Sequence, residues 1–165
     1  MGELCKIILV DDSEDDVLLF QRALARHPRL QLIWRGEDGE QAVAYLSGSG
    51  KFADRDQYAW PDVLVLDLKM PNRDGFEVLQ WMQDKANMPL VLVLSSSDLP
   101  EDKVRAAQLG ATMYHAKPFE PEMLDHVMRR LLRLCDRNRK SHRIPGAPAS
   151  LPVADLDQPR SDLPE

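Results

Sequence analysis

Cysteine is scarce in this chain, no apolar run is long enough to cross a bilayer, and positive charge is not in excess. Each shortage removes a class of function. Two cysteines, Cys5 and Cys135, are too few for a disulfide framework. Cys5 opens an apolar run and Cys135 stands late in a helical pattern, so both read as reduced thiols, which suits a cytoplasmic protein. A net charge of −6 argues against general nucleic-acid binding. The apolar runs fall well short of the ~20 residues that a membrane helix needs. Residues 1–6, Met-Gly-Glu-Leu-Cys-Lys, carry no basic region followed by an apolar block, so no signal peptide is expected. Gly2 opens no myristoylation motif, because residue 6 is Lys rather than Ser or Thr. What is there, 165 residues of which 44% are apolar, suffices for one domain with its own core.

The organising stretch is Val63-Leu64-Val65-Leu66-Asp67-Leu68-Lys69-Met70-Pro71. Four apolar residues run straight into an aspartate. A short continuous apolar run reads as a strand buried on both faces. A carboxylate at its end stands at the carboxyl edge of a parallel sheet, where open α/β folds place their chemistry. Ile7-Ile8-Leu9-Val10 ends likewise in Asp11-Asp12, and Leu90-Val91-Leu92-Val93-Leu94 ends in Ser95-Ser96-Ser97. A shorter run over 112–116 ends in Lys117-Pro118. Acids, a hydroxyl and an ammonium therefore collect at successive strand ends.

Helices fall between these strands. Ser13 reads as an N-cap with Glu14, Asp15 and Asp16 behind it, opening a helix to about His27 that offers Val17, Leu18, Ala23 and Leu24 to a core. A less apolar strand, 30–34, suits a position near a sheet edge. A second helix covers about 40–46. Asp74 with Glu77 forms a capping box for a helix to about Lys85. Pro100, bracketed by Asp98 and Glu101, marks the start of the next helix, stopped by Gly110, and Pro121 sits in the first turn of a last one over about 120–137. The β-α unit thus repeats five times, which predicts an α/β fold with a parallel five-stranded sheet covered on both faces. Residues 47–61 exceed an ordinary connection. They read as a surface insertion or as a partner-binding loop, with Tyr58 and Trp60 folded back onto the body. From 139 onward composition shifts, and five of the twelve prolines lie in 145–164. The expected division is a domain over 1–138 and a Pro-rich, disordered tail over 139–165.

Together these residues resemble a response regulator receiver domain. The likeness rests on Asp11-Asp12 after strand one, Asp67 with Pro71 and Asp74-Gly75 after strand three, Ser95 after strand four, and Lys117-Pro118 after strand five. The long segment before strand three, with no output domain following, resembles the single-domain regulators of phytochrome-type histidine kinases. The resemblance implies a doubly wound, flavodoxin-like (βα)5 sheet with strand order 2-1-3-4-5. It implies that Asp67 takes a phosphoryl group from a sensor histidine kinase. It further implies Mg²⁺ held by Asp12 and Asp67, by Asp11 through water, and by the backbone carbonyl of Lys69. Lys117 and the Ser95 hydroxyl would meet phosphoryl oxygens, Ser95 being chosen over Ser96 and Ser97 because its interval to Lys117 fits the family. A cis Lys117–Pro118 bond is implied, as is a switch in which Ser95 and Tyr114 move and the face of the fourth and fifth helices and fifth strand changes. A phosphotransfer protein and a second copy of the chain are the further partners implied, with neither nucleic acid nor membrane.

The residues support a metal independently. At ~4 Å and an effective dielectric near ~20, each like-charged pair costs about 4 kcal/mol. Gathering three carboxylates therefore calls for cations, and a hard divalent ion with oxygen ligands suits them. Competing readings fare worse. An aspartyl-phosphate phosphatase wants a second acid two residues past its nucleophile, where this chain has Lys69. A flavin-binding module wants a Ser/Thr/Gly-rich phosphate loop after strand one, where this chain has acids. The chain is thus expected to be no enzyme beyond self-phosphorylation and autodephosphorylation; a phosphorylation-independent adaptor is the alternative. The late basic residues Arg129, Arg130, Arg133, Arg137, Arg139, Lys140 and Arg143 read first as a solvated helix end.

Overall fold

Buried strands here alternate their side chains between two separate cores. The structure, a computed structural model, describes residues 2–117 and 120–142. Its elements follow the β-α repeat: β1 (Cys5–Val10), α1 (Glu14–Leu24), β2 (Leu30–Gly36), α2 (Gly39–Ser47), β3 (Val63–Leu66), α3 (Gly75–Gln83), β4 (Leu90–Ser95), α4 (Pro100–Gln108), β5 (Met113–Ala116) and α5 (Pro121–His142). The sheet is parallel, in the order β2-β1-β3-β4-β5. The less apolar β2 is indeed an edge strand. Ile7, Leu9, Val63, Val65, Leu92 and Leu94 point into a core shared with α1 and α5. Ile8, Val10, Leu64, Leu66, Val91 and Val93 point into a second core shared with α2 and α3. Two-sided burial is why these strands read as continuous apolar runs rather than as alternating ones.

Helix α1 departs from expectation at both its end and its phase. It stops at Leu24, where Arg26 and His27 donate to carbonyls three residues back and Pro28 follows. Phe20, not Leu18, faces the core: Phe20 is 1% exposed and Leu18 46%. Helix α5 runs on to His142, so residues 139–142, assigned to the tail, are helical. Arg139 secures this end. Its guanidinium pairs with Asp62 at 2.9 Å and donates to the Leu4 carbonyl. The rest of the expected tail, 143–165, and the Lys117–Pro118 bond lie outside the described residues.

Cys5 and Cys135 are joined in a disulfide rather than free. Both face the core under α1 and α5, which brings their Cα atoms to 6.3 Å across 130 residues of sequence. The segment 47–61 packs as foreseen for Tyr58 but less so for Trp60, which is 39% exposed. Phe52, on a short 3₁₀ turn (Gly50–Ala53), and Tyr58 close around Tyr45, which stacks on Trp34 at 4.6 Å. Arg55 donates to the Tyr45 and Leu46 carbonyls at the end of α2 and lies over the Trp60 ring.

Candidate functional site at the carboxyl edge of the sheet

Strand register brings the acids together. Val10 pairs with Leu66, so Asp11 and Asp67, each the next residue, share the sheet edge. Their backbones are held by extensions of the ladder. Asp67 N–H donates to the Val10 carbonyl at 3.0 Å, Asp11 N–H to that of Gly36 at 3.1 Å, and Lys117 N–H to that of Ser95 at 2.7 Å. Asp11, Asp12 and Asp67 offer carboxylate oxygens within 4.8 Å of one another. Asp11 and Asp67 are buried, while Asp12 faces solvent.

Lys117 closes the cluster. Its Nζ lies 2.9 Å from Asp11 Oδ2, 3.2 Å from Asp67 Oδ2 and 2.7 Å from Asp16 Oδ2. Burial raises the Asp67 carboxyl above its ordinary value, Lys117 opposes this, and the Asp11 charge adds to it. Burial raises Asp11 as well, against a hydrogen bond from the Ser13 amide and the Lys117 ammonium. For Lys117, burial pulls downward, but hydrogen bonds to Asp16 and Asp11 and the charge of Asp67 outweigh it, and the ammonium is held above its ordinary value. Lys69 enters through its backbone, whose N–H reaches Asp67 Oδ1 at 3.4 Å. Asp16 is the residue that sequence reading passed over. Its place in the first turn of α1 marks it as a helix-end acid, and nothing local shows that a lysine 101 residues later will meet it.

Helix α3 packs hard against this edge. Gly75 N–H donates to the Leu68 carbonyl at 2.9 Å, and a Cβ on Gly75 would stand 2.3 Å from the Asp67 carbonyl oxygen. The expected capping box is present, Asp74 and Glu77 each accepting the other's backbone N–H. Glycine here is thus a matter of close approach between helix and strand end.

The hydroxyl and the aromatic lie on the other side. Ser95 is fully buried, and its Oγ accepts the Ser97 N–H at 3.2 Å. Tyr114, half-buried on β5, donates its hydroxyl to the Ser97 carbonyl at 2.7 Å. Ser97 Oγ donates to Asp102 on α4 at 2.5 Å and accepts the Leu99 N–H. Ser97 therefore links Ser95, Tyr114 and the first turn of α4, a connection the sequence left unassigned.

The chain has relatives among known proteins in both sequence and structure. The family model described as response regulator receiver domain matches residues 7–129. The alkaline phosphatase synthesis transcriptional regulatory protein PhoP of Bacillus subtilis is 34% identical over 128 residues, 78% of this chain and 48% of that protein. The chain thus spans about half the length of the curated relatives it matches. The phosphorylated cyanobacterial phytochrome response regulator RcpA superposes with a TM-score of 0.70 at 28% identity, covering 82% of this chain and 96% of that one. The response regulator RPA3017, in red light signaling of R. palustris, gives 0.70 at 27%, covering 79% and 93%. Phytochrome-associated regulators are thus among the chains it resembles in structure. Among the described residues no helix is long and apolar enough to cross a membrane. Matched by that family model over residues 7–129, the chain belongs to the response regulator receiver domain family of two-component systems.

Proposed function

We propose that this chain is a phosphoryl-accepting switch, with Asp67 the acceptor. The observation that carries the reading is a buried carboxylate at a sheet edge, with two further acids within 4.8 Å and an ammonium at 3.2 Å. Asp67 Oδ attacks the phosphorus of a phosphohistidine on a sensor histidine kinase. The N–P bond breaks, its electron pair leaves on the imidazole, and an O–P bond forms on Asp67. The kinase is of phytochrome type, a reading supported by the likeness to RcpA and RPA3017. A phosphotransfer protein and a second copy of this chain are the further partners proposed.

The donor set fits Mg²⁺: all-carboxylate oxygen with backbone alongside, and neither His nor Cys. Asp12 and Asp67 would hold it directly, Asp11 through water, and the Lys69 carbonyl would complete the protein ligands. Bound there, it supplies positive charge against the phosphoryl oxygens. The chain's own residues do the rest. Lys117 neutralises another phosphoryl oxygen, and the hydroxyl of Ser95 donates to a third. For Ser95 to turn toward Asp67, its Oγ must release the N–H of Ser97, the residue whose carbonyl holds the Tyr114 hydroxyl. This coupling supports a switch that alters the surface of α4, β5 and α5.

Intact mass after incubation with acetyl phosphate tests the reading. Wild type with Mg²⁺ should gain one phosphoryl group; wild type in EDTA and Asp67→Asn should gain none. If phosphohistidine donors also leave wild type unmodified, the chain is a phosphorylation-independent adaptor.

A further inference from the structure

We infer that Asp16 is a positioning residue for Lys117, an inference that rests on the phosphoryl-accepting reading of Asp67. An ammonium has three N–H donors. Here they face three anions, Asp16 at 2.7 Å, Asp11 at 2.9 Å and Asp67 at 3.2 Å. The shortest contact is to the acid outside the three-carboxylate cluster. The partners also differ in exposure. The side chains of Asp11 and Asp67 are 4% and 5% exposed, that of Asp16 38% and that of Lys117 13%. Asp16 is therefore the solvent-exposed one of these three partners of the ammonium.

The backbone at Asp16 is fixed by the same turn that shapes the acidic cluster. Ser13 N–H donates to Asp11 Oδ1 at 2.9 Å, and Ser13 Oγ accepts the Asp16 N–H at 3.4 Å as the N-cap of α1. The side chain of Asp11 and the start of α1 are thus one hydrogen-bonded unit, and Asp16 is delivered at a set distance from it. Lysine is a flexible stem with a point charge at its tip. Of its three partners, Asp67 loses its carboxylate charge when its oxygen is esterified, and Asp11 is committed to the cation site. Asp16 is the partner that neither event claims. It keeps Lys117 anchored while one N–H turns to a phosphoryl oxygen, and it draws the ammonium away from the attacking oxygen beforehand. Lys69 and Arg35 do not substitute for Lys117 as the cation here, since Lys69 meets Asp67 through its backbone and Arg35 is paired with Glu14.

Asp16→Asn and Asp16→Glu test the role with two readouts. The first is the Lys117 ammonium resonance in ¹⁵N-lysine-labelled protein, without metal or phosphodonor. It should be protected from exchange in wild type, lost in Asp16→Asn and restored in Asp16→Glu. The second is the rate of phosphoryl uptake from acetyl phosphate with Mg²⁺, followed by intact mass. Losing a charge-assisted hydrogen bond from the reacting arrangement should slow it about tenfold in Asp16→Asn. Asp16→Glu should recover most of that loss, and half-maximal Mg²⁺ should not move. A wild-type ammonium signal or a wild-type rate in Asp16→Asn would overturn the inference. If wild-type protein accepts no phosphoryl group from any donor, the acceptor reading of Asp67 fails by itself. The ammonium signal then still decides whether Asp16 holds Lys117.

Discussion

Asp67 and Asp11 carry the cost of the site as single residues. Burial raises both carboxyls, so the folded chain binds those protons more tightly than the unfolded chain does. Their contribution to stability is therefore full below the ordinary carboxylate range, at about pH 3.9, and is lost as pH rises through the raised values. Asp67→Asn removes one such loss. Lys117 is not orphaned by the change, because Asp11 and Asp16 remain at 2.9 and 2.7 Å. In EDTA at pH 7 the variant should melt above wild type by about 2–4 °C for ~1 kcal/mol. The gap should close below about pH 4. Equal melting temperatures at both pH values would show that Lys117 already offsets the buried charge. Chemistry at such a residue is legible in sequence as a strand-end acid, but the strength of its perturbation is not, because it depends on distances to Asp11 and Lys117.

At the scale of elements, the joint between β3 and α3 is the tightest point near the site. Alanine at Gly75 would bring Cβ to 2.3 Å from the Asp67 carbonyl oxygen and 2.8 Å from Leu68 Cα. Both are backbone atoms, so relief requires the helix to move off the strand. Gly75→Ala should cost about 1–3 kcal/mol in denaturant melts and slow phosphoryl uptake on Asp67. A variant with wild-type stability would mean that α3 shifts freely, and the close packing would lose its significance. Helix starts were legible here, since Ser13, Asp74 and Pro100 act through local hydrogen bonds or a fixed φ. The facing of α1 was not. Leu18 and Phe20 are both apolar, and which one is buried depends on how α1 lies against β1 and α5.

For the whole molecule, the proposed cation site would be a lever on global stability. Mg²⁺ that binds only the folded chain should raise unfolding free energy by about 1.4 kcal/mol at ten times its Kd. The rise should be absent in Asp12→Ala, whose exposed side chain bears little on the fold. An equal Mg²⁺ response in that variant would remove Asp12 from the ligand set. Tertiary contacts also set where α5 ends. Its last turns are polar and rich in Arg, which reads as the start of a tail, yet Arg139 fastens them to Leu4 and Asp62 on the strand side.

The sequence alone determined the elements and the chemistry at their ends. Apolar runs of four to six residues specify strands buried on two faces, and short-range capping specifies where helices begin, so both are written locally. Asp11, Asp67 and Ser95 were visible because each directly ends such a run, Asp12 because it follows Asp11, and Lys117 because it ends the shorter run over 112–116. Only tertiary structure decided which of these groups touch. The Asp16–Lys117 contact spans 101 residues, the Cys5–Cys135 bond 130, and the Tyr114–Ser97 hydrogen bond joins a strand to a turn. Such pairings depend on sheet register and helix packing, which arise from the sum of many contacts and leave no mark at either partner's position in the chain.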